Sequence, residues 1–347
     1  MNSGDRGALN VDYGHLPQEL HFSHNFCFFL HDQLVAALQL GEEAKIFDVE
    51  LISDQKISEG LTGESLFEWL DDNGHQSVIL DMYYRQITAA LLADMLHFLY
   101  EALRCSEKGK ITVSFALLRK PLKENLFYLE WLLADPSDML AAFKDDRPSA
   151  KSVRLLTDVR KKEIIRLAVE KTSMGHWLDS ELIYDLRYNK RFSSGFEDLF
   201  QKANHLVTSF KALETEPANF NFVFSDDHAR QSQWNGLYSY LPPLLLHAVE
   251  VVEALLATFS KRQEGIDLTQ IRSAIGFAYW IDSGPHKHLG ADALRNMKSA
   301  LLSDELPCPS CNAQVFSSDE SLITLYNENT VSCSSCGWSF DLNARSL

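Results

Sequence analysis

Two cysteine pairs, Cys308-Pro309-Ser310-Cys311 and Cys333-Ser334-Ser335-Cys336, give the clearest structural signal in this chain. Two residues between paired cysteines allow a tight turn to direct both sulfur atoms toward one ion. Twenty-one residues separate the pairs, which is typical of a four-cysteine tetrahedral zinc site. Because sulfur fills all four positions, Cys308, Cys311, Cys333 and Cys336 predict one structural zinc ion without a reactive water. Two disulfides or four separate thiols are the alternative interpretation.

Short apolar stretches around these pairs, at 313–316, 321–326 and 338–342, predict β-strands. The segment 303–347 therefore resembles a zinc ribbon. Zinc ribbons often serve nucleic-acid machinery, but this segment has six acidic residues against the single base Arg345, a net charge of −5. A field of that sign repels phosphate, so we expect the segment to contact a protein rather than a nucleic acid.

Ahead of this segment, apolar residues recur at intervals of three and four, the pattern of amphipathic helices packed in a bundle. The alternation at 220–224 predicts one strand. We predict a mainly α protein, in which a multi-helix bundle over residues 1–302, with a candidate subdomain break near 145–150, precedes a small C-terminal β zinc ribbon over 303–347. The predicted helices are 18–40, 83–105, 112–134, 150–171, 179–190, 195–212, 243–262, 268–282 and 291–302.

The overall composition limits the compartment and the partners. The chain has 347 residues, 46% of them hydrophobic, and a net charge of −16. This acidity predicts a poor general partner for nucleic acid or an anionic membrane. The first residues carry no cationic, apolar leader, and the longest apolar stretch, 241–259, contains two prolines, a histidine and two glutamates. We therefore expect a cytoplasmic protein without a membrane segment.

A proline interrupts the helix predicted at 112–134. Pro121 lacks a backbone N–H, so nearby carbonyls need partners from elsewhere. The adjacent Arg119, Lys123 and Glu124 form a candidate polar cluster. Such a cluster could bind a phosphate or position a water, or it could be a structural ion-pair network or a solvated helix face.

Residues 151–211 are basic in an otherwise acidic chain, with twelve Lys or Arg against eight acidic residues, a net charge of +4. Tyrosines and a phenylalanine alternate with the basic residues, so the segment is a candidate strip for RNA or DNA. The alternatives are pairing with the protein's own acidic surface or contact with another subunit. The candidate contact residues are Arg160, Lys161, Lys162, Lys190 and Arg191.

The Ala116-Leu117-Leu118-Arg119 patch on a long helix pair resembles uncharacterised bacterial helical proteins of the HEPN and abortive-infection groups. The resemblance implies an RNA-acting toxin or defence effector. Active HEPN ribonucleases carry an arginine followed, after four to six residues, by a histidine, and none of the twelve histidines here has that spacing. This departure puts nuclease activity in doubt.

The sequence contains no GxGxxG, P-loop, HExxH or GxSxG motif, so it does not predict a particular enzyme. Our leading prediction is a cytosolic, zinc-containing helical protein that acts as a protein–protein interaction module, with a protein partner or a second copy of itself. The HEPN-like RNA-acting protein is the alternative.

Overall fold

A computed structural model describes residues 13–51, 62–173, 175, 178–211, 213–223, 225–259, 268–283, 307–316 and 318–341. Most of these residues are helical, and the regular sheet in the described part has two short strands. The predicted mainly α architecture with a small C-terminal β element is confirmed. The helices are α1 (His21–Glu43), α2 (Glu64–Asp72), α3 (Gln76–Glu107), α4 (Ile111–Lys120), α5 (Leu126–Ala134), α6 (Pro136–Lys144), α7 (Pro148–Lys151), α8 (Asp158–Glu170), α9 (Ser180–Tyr188), α10 (Phe196–Asn204), α11 (Asp227–Phe259), α12 (Leu268–Ser283) and α13 (Asp319–Glu328).

The predicted helices at 18–40, 83–105, 179–190 and 268–282 are confirmed. The helix predicted at 291–302 and the domain boundary at 302 to 303 lie outside the described residues. One hydrophobic core contains side chains from α1, from α3 to α6 and from α8 to α12, and therefore from both sides of the candidate break near 145–150. Whether that break separates two subdomains stays a prediction.

Two predicted helices are shorter in the structure because side chains cap them. The segment predicted at 150–171 becomes the short α7, a 3-10 turn and then α8, whose N-terminus is capped by Thr157 Oγ1 accepting from Arg160 N–H at 3.2 Å. The helix predicted at 195–212 ends at Asn204, whose side chain donates to Phe200 O at 2.7 Å. This local bond competes with a further backbone turn.

The strand predicted at 220–224 is wrong, since residues 221–223 form a turn. The Asn221 amide donates to His205 O at 2.7 Å and to Thr208 Oγ1 at 2.9 Å, which ties the segment to a neighbouring loop. Phe222 has φ +62°, in the left-handed region that an extended strand excludes. Side-chain bonding therefore overrides the alternating pattern.

The helix predicted at 112–134 is interrupted at the proline. A π-helical turn, Pro121–Asn125, separates α4 from α5. Two carbonyls in this turn accept bonds from consecutive residues of α9. Arg187 Nη1 donates to Leu122 O at 3.1 Å, and the Tyr188 hydroxyl donates to Lys123 O at 2.7 Å. The expectation that carbonyls near Pro121 need other partners is met by α9.

Arg187 also belongs to an ion-pair network inside the core. Its Nη2 lies 2.6 Å from Glu130 Oε1, and His247 Nε2 lies 2.7 Å from the same oxygen, with all three side chains fully buried. Burial opposes ionisation of Glu130, but Arg187 and His247 outweigh it and lower the pKa of this carboxyl group. The network connects α5, α9 and α11.

Helix α11 begins at Asp227, earlier than the predicted start at 243, and continues through Pro242 and Pro243. Tyr238 O, the carbonyl that a residue at 242 would normally contact, instead accepts a bond from Trp280 Nε1 at 3.3 Å. By length and composition this helix could cross a membrane, but 78% of its most apolar window is buried inside the protein. It is the central helix of the bundle core.

The C-terminal segment is folded differently from the predicted ribbon. The strand predicted at 321–326 is wrong, because α13 occupies these residues and begins with a capping box of Ser318 and Ser321. The stretch 313–316 forms only one isolated bridge, at Gln314. The strand predicted at 338–342 is confirmed over its described part, where β2 (Ser339–Asp341) pairs antiparallel with β1 (Thr330–Ser332).

The C-terminal segment has its own small core, which includes a residue of α12. Ile275 of α12 is buried with Phe316, Leu325 and Val331. The Tyr326 ring packs against the Phe29 ring of α1, and the two centroids are 5.2 Å apart. The C-terminal segment therefore rests directly on the helical body.

The buried network generates a stability prediction. Arg187→Ala leaves Glu130 buried without its guanidinium partner, so we expect a loss of about 3–5 kcal/mol in the free energy of unfolding. The control Arg166→Ala removes an exposed pair with Glu170, for which we expect about 0–1 kcal/mol. Urea unfolding followed by circular dichroism measures both. Equal destabilisation by the two variants would contradict the assigned role of Arg187.

Candidate metal centre and basic cavity

The four predicted cysteines converge, with all four Sγ atoms within 4.8 Å of one another. The Sγ atoms of Cys308 and Cys336 are 3.7 Å apart, and those of Cys311 and Cys333 are 3.6 Å apart. Sulfurs about 2.3 Å from a tetrahedral metal ion lie roughly 3.8 Å from each other. The donor set therefore fits a four-coordinate metal ion. Among the described residues, no second group of three or more His, Cys, Asp or Glu converges in this way.

The two cysteine turns have the same backbone geometry. In each turn the backbone N–H of the first cysteine donates to the carbonyl oxygen of the residue five positions later. The carbonyl oxygen of the same cysteine accepts a bond from the backbone N–H of the residue four positions later. That fourth residue is left-handed in both turns, Asn312 with φ +62° and Gly337 with φ +73°. Sequence analysis did not identify Asn312. The bonds are Cys308 N to Ala313 O at 2.8 Å, Asn312 N to Cys308 O at 2.9 Å, Cys333 N to Trp338 O at 2.8 Å and Gly337 N to Cys333 O at 2.9 Å.

Backbone amides inside the turns also face the sulfurs. Ser310 N–H donates to Cys308 Sγ at 3.4 Å. The amide N–H groups of Cys336 and Ser335 help to lower the pKa of Cys333 to about 6. Such bonds stabilise a thiolate, which is the form that binds metal.

The second site is a cavity of about 750 Å³ between the Pro121–Asn125 turn, α8 and the C-terminal end of α9. It brings together two groups that the sequence analysis treated separately. Six basic side chains and three carboxylates line it, a net charge of +3. The predicted residues at the cavity are Arg119, Lys123, Glu124, Lys161, Lys190 and Arg191.

Two of the predicted contact residues do not line this cavity. Arg160 pairs with Asp138 at 2.6 Å and with Glu163 at 2.9 Å. Lys162 pairs with Glu181 at 2.5 Å. For these two side chains, the arrangement matches the alternative in which basic residues pair with the protein's own acidic surface.

Three exposed basic residues at the cavity lack such partners. Arg154, Lys190 and Arg191 have no carboxylate within 4.0 Å among the residues that the structure describes. Lys190 Nζ lies 4.6 Å from the centre of the Phe210 ring. The sequence does not distinguish Arg154 from the other basic residues of its segment, because only tertiary contacts separate paired from unpaired side chains.

The polar cluster near Pro121 is partly internal. Lys123 pairs with Glu197 of α10, and their side chains are only 14% and 4% exposed. Burial lowers the pKa of Lys123, although Glu197 opposes this shift. Arg119 is half-exposed, and its Nη1 is 3.9 Å from Glu124 Oε1. Lys123 and Glu197 therefore form one wall of the cavity, and Arg119 and Glu124 lie in partial contact with solvent.

Lys161 has the lowest solvent exposure of the cations that line the cavity. The residue is 8% exposed, and its nearest carboxylate oxygen, Asp158 Oδ1, is 3.8 Å from Nζ. Its ammonium group makes no hydrogen bond within the described part of the chain. Burial lowers the pKa of Lys161, and Asp158 and Glu197 oppose this shift. The amine groups of Lys123 and Lys161 each lie 5.3 Å from the centre of the Tyr188 ring.

A further polar network, which the sequence did not predict, is buried at the other end of the bundle. His24 Nε2 lies 2.8 Å from Glu107 Oε1, and its Nδ1 lies 2.6 Å from the Tyr238 hydroxyl. Arg104 Nη1 approaches the second Glu107 oxygen at 2.6 Å. His24, Glu107 and Tyr238 are buried, and the network connects α1, α3 and α11. We assign it a structural role.

Comparison with protein-family models, with curated proteins and with solved structures gives no significant match. The HEPN-like resemblance stated from the sequence therefore has no support from related proteins. The functional interpretation depends on the geometry of the two sites.

Proposed function

We propose that the protein binds a compact, multiply negative molecule, such as a phosphorylated metabolite, in the basic cavity. One observation carries this proposal. The residues that line the cavity have a net charge of +3, although the whole chain has a net charge of −16. Outside the cavity, by contrast, Arg160 and Lys162 are each paired with a carboxylate. Clustered cations in a concave, partly dehydrated site attract phosphate more strongly than the same charges spread over a surface.

The size and surroundings of the cavity favour a small ligand over a nucleic-acid strand. Its volume of about 750 Å³ is in the range of small-molecule sites. A strand would need a continuous basic track, but Arg160, Lys162 and Arg166 next to the cavity are each paired with an acidic residue. The acidic remainder of the molecule would repel the long phosphate backbone.

We propose zinc as the metal held by the four cysteines. An all-sulfur tetrahedral set suits zinc and disfavours hard cations such as Mg²⁺ or Ca²⁺. With four protein ligands the ion would have no open position, so its role would be structural. Thiols that bind metal need a reducing compartment, which agrees with the predicted cytoplasmic location.

The protein-interaction role, the homo-oligomer and the absence of a membrane contact stay predictions. The HEPN-like alternative gains no support from the cavity, because no histidine is among the described residues that line it. An imidazole is the group that this resemblance would require for RNA cleavage.

The anion proposal predicts selective binding of inorganic pyrophosphate. We expect the double variant Lys190→Gln, Arg191→Gln to bind pyrophosphate at least about tenfold more weakly, because a hydrogen bond to a charged group contributes roughly 1.5–3 kcal/mol. Isothermal titration calorimetry at two salt concentrations measures the affinity. The matched control Arg160→Gln, Lys162→Gln removes the same formal charge from paired positions and should bind like the parent.

Two results would refute this proposal. One is the absence of pyrophosphate binding by the parent protein at low salt. The other is equal weakening by both double variants, since that would indicate a general surface field instead of a site.

The metal proposal predicts one zinc per chain, which elemental analysis of the purified protein measures. Cys333→Ser should lose the zinc and unfold the C-terminal segment while the helical body keeps most of its circular dichroism, since structural zinc contributes about 10–16 kcal/mol of apparent binding free energy in small domains. Cys105→Ser is the control, because this free thiol lies far from the cluster in sequence. A different metal, or no metal, would contradict the assignment.

A further inference from the structure

We infer that Lys161 is an amine nucleophile that forms an imine with the carbonyl group of a small anionic aldehyde or ketone. This inference rests on the proposed anion site and adds a covalent step to it. Lysines that form imines are typically withdrawn from water and surrounded by other cations, because both conditions favour the neutral amine.

Lys161 differs in this respect from the other lysines at the cavity. It is 8% exposed and its amine makes no hydrogen bond among the described residues. Lys123 is held by Glu197 in a buried ion pair. Lys190 is exposed to water and lies over the Phe210 ring. An amine that is buried, poorly paired and open to a cavity is therefore found at Lys161.

The amine has an acid–base partner in reach. Asp158, one turn earlier on α8, places a carboxylate oxygen 3.8 Å from Lys161 Nζ. Burial raises the pKa of the Tyr184 phenol, and a hydrogen bond that the phenol donates to Asp158 raises it further. All three side chains line the cavity. Lys161 therefore provides a nucleophilic amine, Asp158 a carboxylate that can accept and return a proton, and Tyr184 a phenol that stays protonated at neutral pH.

The reaction balances without an oxidant or reductant. Asp158 takes a proton from the Lys161 ammonium, and the nitrogen lone pair then attacks the carbonyl carbon while the carbonyl π electrons move to oxygen. Proton transfer from nitrogen to that oxygen gives a carbinolamine. The hydroxyl group leaves as water with the proton from Asp158, and the carbon–nitrogen double bond forms.

The surrounding charges define the chemistry of the carbonyl ligand. Arg154, Lys190 and Arg191 are exposed at the cavity and have no carboxylate partner in the described part of the chain, so they can bind a phosphate or carboxylate group on the same molecule. The anionic group would hold the carbonyl next to Lys161 and raise its effective concentration. A neutral aldehyde lacks this advantage.

Pyridoxal 5′-phosphate is a suitable probe, because it carries both an aldehyde and a phosphate. The zinc-loaded full-length protein is incubated with the probe and treated with borohydride, which reduces the imine to a stable amine. Peptide mass spectrometry then gives the labelling rate of each lysine. We expect Lys161 to be labelled at least about tenfold faster than Lys162, because the cavity holds the aldehyde next to Lys161 while Lys162 is paired with Glu181 outside the cavity.

Three comparisons sharpen the test. Inorganic pyrophosphate should slow labelling of Lys161, and pyridoxal without its phosphate should react at least about tenfold more slowly, because it lacks charge-assisted bonds. Asp158→Asn should slow imine formation by roughly tenfold or more. Lys161→Arg should abolish labelling at this position, and a circular dichroism spectrum like that of the parent shows that the variant is folded.

The imine inference is overturned if the labelling rates follow the solvent exposure of the lysines, so that Lys162 and Lys190 are labelled faster than Lys161. Pyrophosphate calorimetry on the same sample then separates the two ideas. If the parent protein binds pyrophosphate, the anion proposal stands and only the imine inference is refuted. If it does not bind pyrophosphate, both the anion site and the imine are refuted.

Discussion

The architecture depends on how the chain compensates for the interruption at Pro121. In the turn after this proline, the carbonyls Leu122 O and Lys123 O accept hydrogen bonds from the consecutive residues Arg187 and Tyr188. Arg187 is also the buried partner of Glu130, so satisfying the turn and satisfying the core network require the same placement of α9. That placement fixes one wall of the basic cavity.

The cavity follows from the same constraint. Once α9 is fixed against the turn, the amine groups of Lys123 and Lys161 each lie 5.3 Å from the centre of the Tyr188 ring, and Lys190 and Arg191, which follow α9, also line the cavity. The protein is acidic overall, but six cations against three carboxylates line the cavity, and other carboxylates, such as Glu181 paired with Lys162, lie outside it. Local geometry, and not total charge, therefore decides where an anion can bind.

The C-terminal segment illustrates which parts of a pattern are reliable. The CxxC spacing predicted convergence of four sulfurs correctly, because two residues between cysteines allow few turn geometries. The strand predicted at 321–326 became α13, since the cap at Ser318 and the spacing of Leu322, Leu325 and Tyr326 favour a helix that packs on α12. A short apolar stretch is compatible with both structures, and packing selects one.

The sequence by itself determined the helical class, the four sulfur ligands and the need for donors near Pro121, because each follows from periodicity, spacing or a missing N–H over a few residues. Only the tertiary structure decided that Arg187 supplies one of those donors, that Arg119 is half-exposed, and that Lys161 faces a cavity while its neighbour Lys162 does not. Burial and ion pairing depend on side chains tens of residues apart, and a linear pattern carries no distance between them.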